Sequence, residues 1–94
     1  MLFNLLNNAY KYNGENVKIK IWTQGHKLHF KDYGNGIEEE DLPHIFKRFY
    51  TKNETGTGIG LPFCLMVMED LGGTIECYSQ TGEFTEFILS FPAS

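Results

Sequence analysis

Three stretches of this 94-residue chain combine residue types and spacings that are suited to binding a charged ligand. In the first, Asn4, Asn8 and Lys11 recur at i, i+4 and i+7, so they share one face of a predicted helix. Asparagine is a weak helix former and is unusual on a face that only meets solvent. Amide oxygens can coordinate a hard cation without adding charge, and a lysine one turn further along suits a phosphate. An ordinary solvated helix face is the alternative.

The second stretch is Asp32 with the glycines that follow it. Asp32 continues the inward phase of Leu28 and Phe30 on a predicted strand, and a carboxylate on a core face needs a partner or a ligand. Gly34 and Gly36 allow a positive φ or a close approach of the backbone. A carboxylate in this place can accept a hydrogen bond from an exocyclic amine. An aspartate that caps its own turn is the alternative.

The third stretch is the glycine-rich run 56–61, which leads into a strongly periodic helix. Such a run can bring several backbone N–H groups onto a phosphate. No predicted strand leads into it, and no Lys-Ser/Thr pair follows its last glycine, so it is neither the dinucleotide fingerprint nor a P-loop. A flexible hinge is the alternative.

Periodicity predicts the elements that must position these stretches. Helical spacing favours helices, and alternation favours half-buried strands. We expect helices over 1–12, 38–46 and 60–71, strands over 16–23, 28–32, 74–79 and 84–91, and a polar loop over 47–58. Asn13-Gly14 and Gly72-Gly73 are predicted to end the first and last helices. The pattern indicates an α+β fold, a two-layer sandwich in which helices pack on one face of an open sheet.

Composition limits the possible partners. The net charge is -4 and the pI is about 5.2, which argues against a nucleic-acid partner. There is no apolar run long enough to cross a membrane, so we expect no direct membrane contact. Cys64 and Cys77 lack metal-ligand spacing and are predicted to be reduced core residues. No linker or repeat divides the chain, so residues 1–94 are predicted to form a single domain.

Five stretches, in order, resemble the sequence boxes of sensor histidine kinase ATP-binding domains. These are 4–12 (N box), 32–37 (G1 box), 45–50 (F box), 56–61 (G2 box) and 82–87, the last with Phe84 in place of a glycine. The resemblance runs nearly end to end. It places the chain with the ATPase and kinase superfamily that includes gyrase, Hsp90 and MutL, and the F box narrows it to histidine kinases.

The resemblance implies a fold and cofactors. The fold would be of the Bergerat type, with an open, mixed but mainly antiparallel sheet and helices on one face. The chain would begin within the N-box helix and lack the N-terminal strands and helix of the family. ATP and Mg²⁺ would be the cofactors.

The resemblance also implies roles for individual residues. Asn8 would hold Mg²⁺, Lys11 would contact a phosphate and Tyr12 the ribose or adenine. Asn4 matches a position near the γ-phosphate, so the implied catalytic set is Asn4, Asn8 and Lys11. Asp32 would accept from the adenine amine, and residues 47–58 would form the ATP lid. The other implied nucleotide contacts are Gly34, Gly36, Ile37, Arg48, Tyr50, Gly56, Thr57, Gly58, Ile59, Gly60, Leu61 and Thr85.

The implied reaction is transfer of the ATP γ-phosphoryl group to a histidine on a separate dimerisation and phosphoacceptor domain. His26, His29 and His44 are not followed by an acidic residue, so none of them fits the acceptor. The acceptor would lie upstream in a longer parent or on another protein. A response regulator or receiver domain would be the further partner, and the domain would be the cytoplasmic portion of a membrane-bound kinase.

Other functions fit parts of the sequence. A nucleotide-binding regulatory module or pseudokinase without transfer activity is favoured by Phe84 and by Thr51, where many relatives carry arginine. An anti-sigma serine kinase uses the same scaffold, but the Phe-Lys-Arg-Phe-Tyr box argues against it. A purely structural role would leave the asparagine stripe and Asp32 without a use. Without the first strands and helix of the family, exposed apolar surface could lead to self-association.

Overall fold

A computed structural model of the chain describes residues 2–14, 16–46 and 60–92. The elements, in chain order, are α1 (Leu2–Asn13), β1 (Ile19–Gln24), β2 (Lys27–Asp32), a short 3-10 helix (Leu42–His44), α2 (Gly60–Asp70), β3 (Thr74–Gln80) and β4 (Phe84–Ser90). This arrangement confirms the predicted α+β class.

The four strands form one open sheet in the order β1-β2-β4-β3. The hairpins β1–β2 and β3–β4 are joined by an antiparallel ladder between β2 and β4, in which Phe30 lies opposite Phe87. Each ladder between the described strands is antiparallel, in keeping with the mainly antiparallel sheet that was expected. The two central strands therefore come from different hairpins, and their inward residues carry the middle of the core.

The core lies between one face of the sheet and the two helices. Leu5 and Ala9 are one helical turn apart on α1, and Cys64 and Met68 repeat the spacing on α2. From the sheet, the buried side chains include Phe30, Phe87, Leu89 and Ile75. We call this the covered face of the sheet, and the opposite face, which carries Trp22, His29, Phe84 and Glu86, the open face.

Both predicted helix ends are confirmed. α1 ends at Asn13, and Gly14 has a φ of 86° and donates its N–H to the Tyr10 carbonyl at 2.7 Å. After α2, Gly72 has a φ of 81°, and the Gly73 N–H reaches back to the Met68 carbonyl at 2.8 Å. In both places glycine supplies the left-handed conformation that lets the chain satisfy the last carbonyls of a helix.

The helix predicted over 38–46 is wrong. Only Leu42–His44 is helical there, as a single 3-10 turn, and the residues before it form turns. Pro43 explains the difference, because proline lacks the N–H that a continuous α-helix over 38–46 would need in its middle, and its ring clashes with the carbonyl four residues earlier. The acidic residues Glu38, Glu39 and Glu40 are exposed, as expected for this run.

Two apolar residues are more exposed than their periodicity predicts. Leu71 was expected on the inner stripe of α2, but it is 52% exposed because α2 ends at Asp70. Ile21 was expected to be inward on a half-buried strand, but it is 46% exposed. β1 is an edge strand of the described sheet and begins at Ile19 rather than at residue 16, so Ile21 lies at the margin of the core.

Candidate nucleotide-binding site

Asp32 is the last residue of β2 and lies on the covered face with only 2% of its surface exposed. The buried hydroxyl residue Thr85 is opposite it on β4. Burial raises the pKa of the Asp32 carboxyl to about 6, and the hydrogen bond from the Gly34 N–H opposes that rise. No described cationic side chain pairs with this carboxylate. The inward position of Asp32 that strand phase predicts is therefore confirmed, and the acid is buried without a charged partner among the described residues.

The two glycines after Asp32 are required for different physical reasons. Gly36 has a φ of 74°, and a Cβ there would lie 2.5 Å from the Gln80 carbonyl oxygen. Gly34 donates its N–H to Asp32 Oδ1 at 3.3 Å, and a Cβ there would overlap the side-chain amide of Asn13. Gly36 thus supplies a left-handed turn, and Gly34 supplies room for a neighbouring side chain.

The loop 33–37 is attached to the β3–β4 hairpin. The Gly82 N–H donates to the Asn35 carbonyl at 2.7 Å, and the Ile37 N–H donates to Ser79 Oγ at 2.6 Å. Ser79 Oγ donates to the Phe84 carbonyl at 2.9 Å and lies 3.3 Å from Thr85 Oγ1. Sequence reasoning missed Ser79, because a serine in an alternating strand carries no signal that a distant loop will bind it.

The end of α1 contacts both the loop and the carboxylate through Asn13. Its Nδ2 donates to the Ala9 carbonyl at 3.0 Å and to Asp32 Oδ1 at 3.3 Å. Its Oδ1 accepts the Asn35 N–H at 2.7 Å. Asn13 lies outside the spacing of the predicted asparagine stripe, so sequence reasoning assigned it only a place at the helix end.

The polar face of α1 leads from Asp32 to a contact with α2. Asn8 is half-buried, and five residues at 1.5 Å each place it about 7.5 Å from Asn13 along the helix axis. Asn4, also half-buried, makes a side-chain hydrogen bond with Cys64 of α2. Burial raises the pKa of the Cys64 thiol, so this thiol stays protonated.

This geometry gives the face two chemically different ends. At one end is the acid Asp32. At the other, Asn4 contacts Cys64 of α2, a helix that begins at Gly60 and Leu61 and whose first N–H groups favour an anion. Asn8 lies between them with a neutral amide oxygen, which is a ligand type that fits a hard divalent cation.

Several predicted site residues lie outside what the structure describes. Lys11 and Tyr12 are in α1, but their side chains are outside the described parts. Arg48, Tyr50, Gly56, Thr57, Gly58 and Ile59 fall in 47–59, which is also outside, as is the predicted lid. Phe46, the last described residue before 47–59, packs edge-to-face on Phe87 with ring centroids 6.3 Å apart. The nucleotide-binding and catalytic roles of all the predicted site residues, in 47–59 and elsewhere, stay predictions.

Comparison with known proteins identifies the family. The whole chain, residues 1–94, matches the family model described as histidine kinase-, DNA gyrase B-, and HSP90-like ATPase. The chain belongs to this family. It spans only 14% of the length of one curated relative and 18% of the length of another, so it corresponds to a small part of each.

One of these relatives is a sensor kinase/phosphatase and the other is a sensor protein. The chain is 50% identical over 96 residues to the CAI-1 autoinducer sensor kinase/phosphatase CqsS of Vibrio cholerae, a match that includes 97% of the chain. It is 37% identical over 102 residues to the sensor protein SrrB of Staphylococcus aureus, and that match includes 98% of the chain.

Solved structures agree with this family. The nucleotide-free catalytic domain of histidine kinase ThkA superposes with TM-scores of 0.74 and 0.77 in two crystal forms, at 34% and 36% identity. Each match includes 97% of this chain and 62% or 63% of the ThkA domain. The histidine-kinase resemblance and the α+β architecture are thereby confirmed. Among the described residues, no helix is long and apolar enough to span a membrane.

Proposed function

We propose that residues 1–94 are the ATP-binding part of a sensor histidine kinase catalytic domain and begin within its N-box helix. The observation that carries this proposal is Asp32, a buried carboxylate that has no charged partner among the described residues. It lies beside a glycine loop that is hydrogen-bonded to both α1 and β3. A buried carboxylate without a charged partner is costly, and it is kept where a ligand uses it. The family match supports a nucleotide as that ligand.

The proposed nucleotide lies along α1 with its adenine at Asp32. Asp32 accepts a hydrogen bond from the exocyclic amine of adenine, and Thr85 backs the pocket from β4. Gly34, Gly36 and Ile37 shape the adenine end. The phosphates extend past Lys11 towards Gly60 and Leu61 at the start of α2, where helix N–H groups stabilise negative charge. Asn8 would hold Mg²⁺, which neutralises phosphate charge when bound.

The reaction proposed for the full kinase is transfer of the γ-phosphoryl group to a histidine. Enzymes of this class act mainly by positioning the reactants and by stabilising charge. In this chain Asn4, Asn8 and Lys11 are the proposed catalytic residues, because they lie on the helix that lines the phosphate end. The acceptor histidine belongs to a separate dimerisation and phosphoacceptor domain, and a response regulator or receiver domain would take the phosphoryl group next. We place this domain on the cytoplasmic side of a membrane-bound parent.

Calorimetry with a non-hydrolysable ATP analogue and Mg²⁺ tests the adenine assignment. We expect Asp32→Asn to bind at least about tenfold more weakly than the wild-type chain, because a hydrogen bond to a charged acceptor contributes about 1.5–3 kcal/mol. Asp70→Asn makes the same chemical change at an exposed carboxylate and should leave affinity unchanged. Equal affinity of the wild-type chain and Asp32→Asn would contradict the proposal.

A nucleotide-binding module without transfer activity is the second candidate. Phe84 and Thr51 are the sequence features that favour it. Thr51 lies outside the described residues, and the Phe84 side chain lies on the open face, where the Lys31 Nζ is 4.3 Å from the ring centroid. It therefore points away from Asp32 and does not obstruct the proposed pocket. Magnesium-dependent nucleotide binding without phosphorylation of a supplied phosphoacceptor domain would support this second function.

A further inference from the structure

We propose that Asn13 is a positioning residue that makes the Asp32 pocket selective for a 6-amino purine, an inference that rests on the proposed function. Asn13 joins three parts of the site with one side chain. Its amide donates to Asp32 Oδ1 at 3.3 Å, and its carbonyl oxygen accepts the Asn35 N–H at 2.7 Å. Its remaining amide hydrogen is used by the Ala9 carbonyl at 3.0 Å, which anchors the side chain to α1.

The direction of these hydrogen bonds determines which ligand groups the Asp32 carboxylate can bind. Both described hydrogen bonds to the carboxylate, from Asn13 and from Gly34, end on Oδ1. A carboxylate held on one oxygen by two donors keeps its other oxygen oriented as an acceptor. An incoming amine can donate to that oxygen, whereas a ring carbonyl cannot. Asn13 thus favours adenine over a 6-oxo purine such as hypoxanthine.

Gly34 supports the inference independently. It has no need of a positive φ, yet a Cβ at this position would overlap the Asn13 amide. The loop backbone and the Asn13 side chain are therefore packed against each other. Any displacement of Asn13 would release the Asn35 N–H and shift the loop that shapes the adenine end.

The buried environment of Asp32 makes the ionisation of its carboxyl sensitive to the contact with Asn13. Burial holds the pKa of Asp32 at about 6. On β3 the facing titratable group is the Cys77 thiol, whose burial raises its pKa to about 12 and keeps it neutral. Asn13 on α1 and Thr85 on β4 are neutral as well. A second carboxylate in place of the Asn13 amide would disfavour ionisation of Asp32 further.

The test measures binding of ADP and of inosine diphosphate, with Mg²⁺, to the 94-residue chain and its variants. Asn13→Asp keeps an acceptor for the Asn35 N–H but replaces the donor to Asp32 by a like charge. We expect its ADP affinity to fall at least about tenfold at pH 7.5, while its inosine diphosphate affinity changes less than about threefold. The pH at which ADP binding is half-maximal should also move upward, and inosine diphosphate corrects for titration of the phosphates.

Asn13→Ala is the second variant, and it should lose the preference for ADP by removing the donor without adding charge. Asn7→Asp adds the same charge at an exposed position of α1 and should retain the wild-type ratio of the two affinities. Retained inosine diphosphate binding shows that a variant is folded. The inference is overturned if both Asn13 variants keep the wild-type ratio, or if they weaken the two ligands equally. A wild-type chain that binds neither nucleotide would overturn the proposed function, and this inference with it.

Discussion

Polar residues on the two faces of the sheet have different surroundings. On the covered face, Asp32 and Thr85 are buried among apolar side chains. On the open face, His29 Nδ1 lies 2.8 Å from Glu86 Oε2, and its ring stacks on Trp22 at a centroid distance of 4.7 Å. On the open face His29 Nε2 is nevertheless buried without a hydrogen-bond partner among the described residues. On the covered face Asp32 accepts hydrogen bonds from Asn13 and Gly34, but no described cationic side chain pairs with it. A buried acid whose pKa is shifted by burial and that has no described opposite charge is the better guide to a ligand site.

The largest expected difference between the faces concerns aromatic packing on β4. Phe87 is 1% exposed on the covered face, and Phe84 is half-buried on the open face. We expect Phe87→Ala to cost about 3–5 kcal/mol of unfolding free energy, because it leaves a cavity between the helices and the sheet. Phe84→Ala should cost clearly less. Urea unfolding followed by circular dichroism measures both, and similar losses would show that the open face is packed as the covered face is.

The second prediction concerns the charge on Asp32. Its pKa of about 6 lies above the ordinary value of 3.8, so the folded chain binds this proton more tightly than the unfolded chain. The stability it contributes is complete below pH 3.8 and is lost as the pH rises through 6. Asp32→Asn should therefore raise the unfolding free energy at pH 7, by at most about 3 kcal/mol.

The gain should disappear near pH 3.5, where wild-type Asp32 is also neutral. The exposed Asp70→Asn variant should show little change at either pH. A gain in unfolding free energy when the Asp32 carboxylate is removed would show that this residue costs stability, unlike the polar residues of the open face. An Asp32→Asn chain that is less stable at pH 7 would mean that the hydrogen bonds from Asn13 and Gly34 stabilise the carboxylate by more than its burial costs.

The third prediction separates the glycine loop from an ordinary turn. Gly36 and Gly25 both have positive φ, but only Gly36 would bring a Cβ against a backbone carbonyl; nothing lies within 4 Å of a Cβ at Gly25. We expect Gly36→Ala to cost about 1–3 kcal/mol more than Gly25→Ala. Thermal unfolding measures the difference. Equal costs would indicate that the loop can move away from β3 without penalty.

The smallest effect is expected on the open face. The side chains of His29 and Glu86 are 12% and 17% exposed, and the pair is neither deeply buried nor part of the proposed site. A double-mutant cycle with His29→Gln and Glu86→Gln should give an interaction of about 0.5–1 kcal/mol. Nucleotide affinity should stay unchanged in all three variants. A change in affinity would mean that the open face communicates with Asp32 through β2.

Local sequence patterns predicted the helix ends and the orientation of strand residues, because these features depend on neighbouring residues in the chain. Gly14 and Gly72 end helices through their own backbone conformation, and alternation alone placed Asp32 inward. The helix expected over 38–46 does not form because Pro43 removes an N–H from its middle, which leaves only the 3-10 turn Leu42–His44. The predicted burial of Leu71 and Ile21 was wrong, because the exposure of a residue at the end of a helix or at the edge of a sheet depends on what packs beside it.

The sequence by itself determined the family, the order of the elements and the residue types that can meet a nucleotide, since each depends on motifs or on short-range periodicity. Only the tertiary structure decided which of those residues meet. It brought Asn13 and Ser79, 66 positions apart in the numbering, to the two sides of one glycine loop. It also separated Phe84 from Asp32 by placing them on opposite faces of the sheet. Contacts of this kind depend on strand register and helix packing, which no single stretch of sequence encodes.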